Sequence, residues 1–150
     1  MGLDMYLTAK RHLSNFEKEE KEINKKIRKV IPEMFESGNL GYVDISFEAG
    51  YWRKSNQIHS WFVKNVQKGE DDCGCYYVSR EKLTQLSEEC KIALANKELS
   101  SAVLPTQSGF FFGNTEYDEW YYRGLEETIE IVDKCLSLPD CWNFEYQSSW

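Results

Sequence analysis

The sequence predicts one α+β domain spanning residues 1–150, with an antiparallel or mixed sheet packed against about four helices. Three observations predict it. Short stretches near the start and before position 50 alternate apolar and polar residues, as half-buried strands do, while longer stretches repeat apolar residues at helical spacing. No internal repeat or low-complexity linker divides them, and 150 residues suffice to bury one real core.

The elements follow in order. Residues Leu3 to Lys10 set Leu3, Met5, Leu7 and Ala9 against Asp4, Tyr6 and Thr8, which predicts a strand. From Ser14 the period becomes helical, with Phe16, Ile23, Ile27, Val30 and Met34 as the apolar stripe of a Glu/Lys-rich helix reaching Glu36. Ser14 and Glu17 have capping-box spacing, and Glu17/Lys21 and Glu22/Lys26 are favourably oriented i,i+4 pairs. The run from Ser37 to Gly41 predicts a turn, and Tyr42 to Glu48, with Val43, Ile45 and Phe47 on one side, a second strand. A helix is expected next to about Val66, burying Trp52, Ile58, Trp61, Phe62 and Val66. Beyond the polar loop from Lys68 to Gly74, Tyr76 to Val78 is a short strand and Ser79 caps a helix carrying Leu83, Leu86, Cys90, Ala93 and Leu94. Residues Asn96 to Gly113 are the least regular. A last helix is expected from near Thr115, turning Tyr117, Trp120, Tyr121, Leu125, Ile129, Val132 and Leu136 inward. Pro139 ends it, and Trp142 to Trp150 close the sheet.

Composition narrows the function. A net charge of −7, from 18 basic and 25 acidic residues, repels polymeric nucleic acid and anionic membranes, whose binding depends on neutralising phosphate. What remains is a small anionic ligand held by a local basic cluster, or a basic partner drawn to the acidic surface. No apolar run approaches the ~18–20 residues of a membrane-spanning helix. The start, MGLDMYLTAKR, has no signal-peptide pattern, and five cysteines without one suggest reduced thiols and a cytoplasmic location.

Two stretches could form a site. The first, YWRKSNQIHSWF (Tyr51 to Phe62), interleaves tryptophan with Arg53, Lys54, Asn56, Gln57 and His59. Aromatic faces stack on bases, cations bind phosphate and amides read base edges, so these are the parts of a nucleotide site. An amphipathic helix with core tryptophans and wetted polar residues fits the same letters. The second is LPTQSGFFFGNTEYDEWYY (Leu104 to Tyr122), where Gln107 and Ser108 offer hydrogen bonds ahead of Phe110, Phe111 and Phe112. From a strand, three consecutive phenylalanines cannot all enter one core, so at least one should face another layer, a ligand or a partner. Gly109 and Gly113 bracket them and permit unusual backbone conformations.

Other chemistry finds little support. EDDCGC (Glu70 to Cys75) has acids and two thiols, but not the paired Cys-x₂₋₄-Cys spacing of zinc sites. Pairing of Cys73 or Cys75 with His59 is conceivable, yet there is no nucleophile elbow, Walker loop, His-Glu-x-x-His or dinucleotide fingerprint. No catalytic residue, metal ligand or cofactor is expected.

Five segments (MGLDMYL, YWRKSNQIHSWFV, DDCGCYYVS, LPTQSGFFFGNTEYDEWYY and YQSSW) together resemble a family of uncharacterised small proteins of bacteriophages and prophages. The family brings no established activity, only context. The context implies a phage anti-defence protein in the cytoplasm of the infected host, sequestering a nucleotide-derived immune signal without catalysis. The alternative is an acidic inhibitor that blocks a host defence protein directly. In the first case Trp52 and Phe110 to Phe112 would stack on bases, Arg53 and Lys54 would meet phosphates, and Asn56, Gln57, His59 and Gln107 would read polar edges. A homo-oligomer would suit the exposed aromatics.

Overall fold

Alternation in the first strand puts every second side chain on one face, and in the computed structural model that face is buried at Met5, Leu7, Ala9 and Leu13. The structure describes residues 2–14, 16–35 and 42–150. Among them β1 spans Asp4–Leu13, α1 Lys18–Val30, β2 Val43–Arg53, α2 Asn56–Asn65, β3 Cys75–Val78, α3 Arg80–Ala95, α4 Ser100–Val103, α5 Glu119–Ser137 and β4 Asn143–Ser149. The four strands form an antiparallel sheet in the order β2-β1-β4-β3. The chain is thus a single α+β domain with five helices among the described residues.

Leu3 just before β1, Met5, Leu7 and Ala9 from β1, Trp52 from β2, Val78 from β3 and Phe144 and Tyr146 from β4 meet α2, α3 and α5 across the core. Phe62 of α2 stacks on Tyr146 with ring centroids 3.9 Å apart and planes 9° from parallel. From α5 come Tyr121, Leu125, Val132 and Cys135, at the spacing of one helical stripe. The opposite face of the sheet carries Tyr6, Lys10, Tyr51 and Tyr77, none of them buried.

Several expectations are corrected. β2 continues to Arg53, and α2 starts only at Asn56, so Tyr51, Trp52 and Arg53 are strand residues. The cause is a β-bulge: Thr8 pairs with Glu48 but Leu7 with Gly50, leaving Ala49 as the extra residue. Before it Val43, Ile45 and Phe47 share the face of the odd residues of β1, and after it Gly50 and Trp52 do. The residues expected to be apolar anchors of the first helix are largely outside: Phe16, ahead of α1, is 80% exposed, Val30 79% and Met34, beyond it, 61%. Pro32 cannot continue the α-helical hydrogen bonds, and residues Pro32–Phe35 form a 3₁₀ turn. Ser14 bonds the Glu20 carboxylate rather than capping with Glu17, and Lys25, not Lys26, pairs with Glu22. Trp120 is 73% exposed, because α5 starts at Glu119 behind the Asp118 cap and turns Tyr121 inward instead. The turn expected over Ser37 to Gly41 lies outside the described residues. Ser79 does cap α3, accepting the Lys82 N–H at 3.2 Å.

Candidate functional site

Where β2 gives way to α2 the backbone must turn sharply, and Lys54 does so with φ +57°, in the left-handed region. Its N–H donates to the Leu3 carbonyl at 2.8 Å, tying the turn to the start of the chain. The turn delivers Asn56 to a buried position facing the Phe-rich loop. Asn56 Nδ2 donates to the carbonyls of Phe112 (3.1 Å) and Asn114 (2.8 Å), and its Oδ1 accepts the Gln107 N–H at 3.0 Å. Leu3 N–H adds a bond to the Phe111 carbonyl at 3.1 Å. The two stretches picked out in the sequence therefore do meet, but through backbone groups.

The Phe-rich loop is a turn, not a strand. Phe112 is buried and packs edge-on against His59, whereas Phe110 is 93% exposed and Phe111 half-buried. Phe111 packs edge-on against Phe110, with centroids 4.7 Å apart. One residue inside and one outside satisfies the expectation that the three cannot share a core.

His59 has no accessible surface. Its Nδ1 faces the Tyr146 hydroxyl at 2.8 Å and its Nε2 the Asp71 carboxylate at 3.0 Å, so both ring nitrogens are spent inside the protein. Trp150 Nε1 donates to the other Asp71 oxygen at 3.1 Å. Burial pushes the Tyr146 hydroxyl well above the usual tyrosine range, so it stays protonated. The ring therefore presents no accessible edge at the surface.

Beside this junction lies a cleft of about 480 Å³, bounded by the end of β2, the first turn of α2 and the start of α5. Its β2–α2 side carries Tyr51, Arg53 and Lys54; its α5 side carries Glu116, Trp120 and Arg123. Trp52, Asn56 and Gln57 also line it, but are committed: Trp52 Nε1 donates to Thr128 Oγ1 at 2.9 Å, and Gln57 Nε2 to the Tyr121 carbonyl at 3.3 Å. Gly124 makes the close packing possible, since a Cβ there would lie 3.1 Å from Gln57 Nε2 and 3.2 Å from Ser55 Oγ.

The charges divide unevenly. Arg53 is 4.0 Å from Asp4, a loose pair, and Lys54 makes no side-chain bond among the described residues. On α5, Arg123 Nε pairs with Glu127 at 3.1 Å while its guanidinium lies 5.9 Å from the Trp120 ring centroid. Asp118 is consumed by capping, accepting the Tyr121 N–H at 3.1 Å and Asn114 Nδ2 at 3.2 Å. Tyr51 donates to Asp4, which holds its hydroxyl above the usual tyrosine range.

Of the residues expected to form a site, Arg53, loosely paired with Asp4, and Lys54, without a side-chain bond among the described residues, stand at the cleft. Trp52, Asn56 and Gln57 build its floor. His59, Gln107, Ser108 and Phe110 to Phe112 lie outside it. Sequence reasoning missed Tyr51, Trp120 and Arg123 as members of this cleft; the signal for Trp120 was its place beside the Asp118 cap, which sets the direction of every later side chain.

A second cleft of about 440 Å³ lies across Gln57, where Trp61 Nε1 donates to Glu89 at 2.8 Å and Ile92, Val103 and Pro105 supply apolar surface. Among the described residues no group of three or more His, Cys, Asp or Glu side chains converges as a metal site. All five cysteines are unpaired, and no described helix is long and apolar enough to cross a membrane. Comparison of the chain with protein-family models, with curated proteins and with solved structures finds no match.

Proposed function

We propose that the protein binds a small nucleotide-type ligand in the cleft between the β2–α2 turn and the start of α5, and holds it without turning it over. One observation carries this: two aromatic side chains, Tyr51 and Trp120, and three cations, Arg53, Lys54 and Arg123, line a single cleft of about 480 Å³. That volume falls within the range of small-molecule sites. Aromatic faces take a base, and Arg53 and Lys54 take phosphate, while the amides of the floor are already spent on the fold. The acidic exterior works against polynucleotides, so a compact ligand fits better than a strand.

The resemblance to phage proteins gives this binding a purpose: an anti-defence protein that withholds a nucleotide immune signal from its effector. The test is calorimetry of the full chain with cyclic dinucleotides, cyclic trinucleotides and ADP-ribose derivatives. Micromolar or tighter binding of one of them, with the ligand recovered intact by chromatography, is the expected result. Folded protein that binds none of them would end this proposal.

A second function is favoured by one observation, the 93% exposure of Phe110. An inhibitor that inserts this ring into a host defence protein would lose its partner in Phe110→Ala and keep it in Arg53→Ala. The cleft proposal expects the reverse order of effects on ligand binding.

A further inference from the structure

We infer that the nucleotide read by this cleft carries guanine, and that Glu116 is the group that selects it; this rests on the nucleotide proposal above. Three acids line the α5 side, and two of them are occupied. Asp118 spends one oxygen on the helix cap and the other on Asn114 Nδ2, and Glu127 pairs with Arg123. The Glu116 carboxylate alone has no hydrogen-bond or ion-pair partner among the described residues, although it lines the cleft.

Its backbone is braced. Glu116 N–H donates to Asn114 Oδ1 at 3.0 Å, and the preceding carbonyl, of Thr115, accepts from Thr106 Oγ1 at 3.0 Å. Two residues away along the α5 entry, Asp118 fixes the helix start that presents Trp120. Arg123 lies over the Trp120 ring, 5.9 Å from its centroid, and the indole is 73% exposed. An exposed aromatic platform and a free carboxylate thus stand on one side of the cleft, with Arg53 and Lys54 on the other.

The chemistry of a carboxylate decides the base. It offers two acceptor oxygens side by side and no donor. Guanine presents two adjacent donors, N1–H and the 2-amino group, on its Watson–Crick edge. Adenine and cytosine each set one amino donor beside a ring-nitrogen acceptor, which a carboxylate repels. Hypoxanthine keeps the N1–H and lacks the 2-amino group. The bidentate match therefore ranks guanine first, hypoxanthine second and adenine last, while the phosphates meet Arg53 and Lys54.

The experiment is calorimetry of the full chain with GDP, IDP and ADP, and with cyclic di-GMP and cyclic di-AMP. The guanine member of each set should bind about tenfold or more tightly than its adenine counterpart, with IDP between GDP and ADP. Glu116→Gln, an exposed substitution that leaves the thermal midpoint unchanged, should reduce that preference to within about threefold. Equal binding of guanine and adenine ligands, or adenine preferred, overturns the guanine assignment and leaves the nucleotide proposal standing. A guanine preference that survives Glu116→Gln overturns the role of Glu116. No binding by any of the five, in folded protein, overturns the guanine inference, and the cyclic trinucleotides and ADP-ribose derivatives then decide the nucleotide proposal beneath it.

Discussion

Asn56 and Gln107 are joined across fifty-one positions of sequence by a 3.0 Å hydrogen bond from the Gln107 N–H to the Asn56 side-chain oxygen. With the two bonds that Asn56 Nδ2 makes to the Phe112 and Asn114 carbonyls, one amide fixes both ends of the Phe-rich loop. Backbone groups at 107, 112 and 114 would otherwise have no partner on this side, and leaving such groups unpaired is costly.

Asn56→Ala should destabilise the protein by about 2–3 kcal/mol. Urea denaturation measures the loss, and hydrogen exchange at the Gln107 amide should accelerate. Asn56→Asp should do no better, because it keeps an acceptor for Gln107 but sets a carboxylate against two carbonyls.

Lys54 separates stability from binding. Its φ of +57° is a conformation that glycine adopts without steric cost. Lys54→Gly should leave stability unchanged or raise it by up to about 1 kcal/mol. The same change removes an unpaired cation from the cleft, and nucleotide affinity should fall about tenfold. A thermal scan and a titration on the same sample give both numbers.

The phenylalanine run should split by position. Phe112 is 6% exposed, and Phe112→Ala should cost about 3–5 kcal/mol. Phe110 is 93% exposed, and Phe110→Ala should change stability by less than about 0.5 kcal/mol. Chemical denaturation of the two variants side by side checks the contrast.

On the open face of the sheet Lys10 pairs with Glu145, which in turn accepts from the Cys75 thiol. The hydrogen bond from Lys10 holds the Glu145 carboxyl below its ordinary 4.5, and the bond to Glu145 raises Lys10 above its ordinary 10.5. The pair therefore stabilises the fold fully from above pH 4.5 to below pH 10.5. Its contribution is lost as pH falls through the lowered Glu145 value, and again as pH rises through the raised Lys10 value. Both groups are partly exposed, so the amplitude should stay under about 1 kcal/mol. Lys10→Met should flatten these two limbs in stability measured against pH.

Much of the fold was legible because its signals were local. The alternation of Leu3 to Ala9, the Ser79 cap and the stripe through Leu125 and Val132 each depend on neighbours in sequence, and each appears where expected. The end of β2 was not legible, for a definite reason. One extra residue at Ala49 shifts the alternation, so that Trp52 rather than Tyr51 faces inward. A period-2 pattern interrupted in this way looks like the start of a helix. Asn56 and Gln57 read as ligand-seeking because their partners, carbonyls at 112, 114 and 121, are set by tertiary contact alone. His59 misled likewise, since Asp71 and Tyr146 reach it from other elements. The cleft itself joins residues 51–57 to residues 113–127, a pairing that spacing in one chain does not encode.

The position of Trp120 at the mouth of the cleft has an optical consequence. Trp52 and Trp61 are enclosed in the core, whereas the Trp120 indole is in water, so its emission should lie to the red of theirs. A base stacking on that ring would quench its share of the red emission, to which the 46% exposed Trp150 also contributes, and leave the blue component standing. Occupancy can thus be followed by intrinsic fluorescence without a label, and Trp120→Phe should silence the response while the core signal persists.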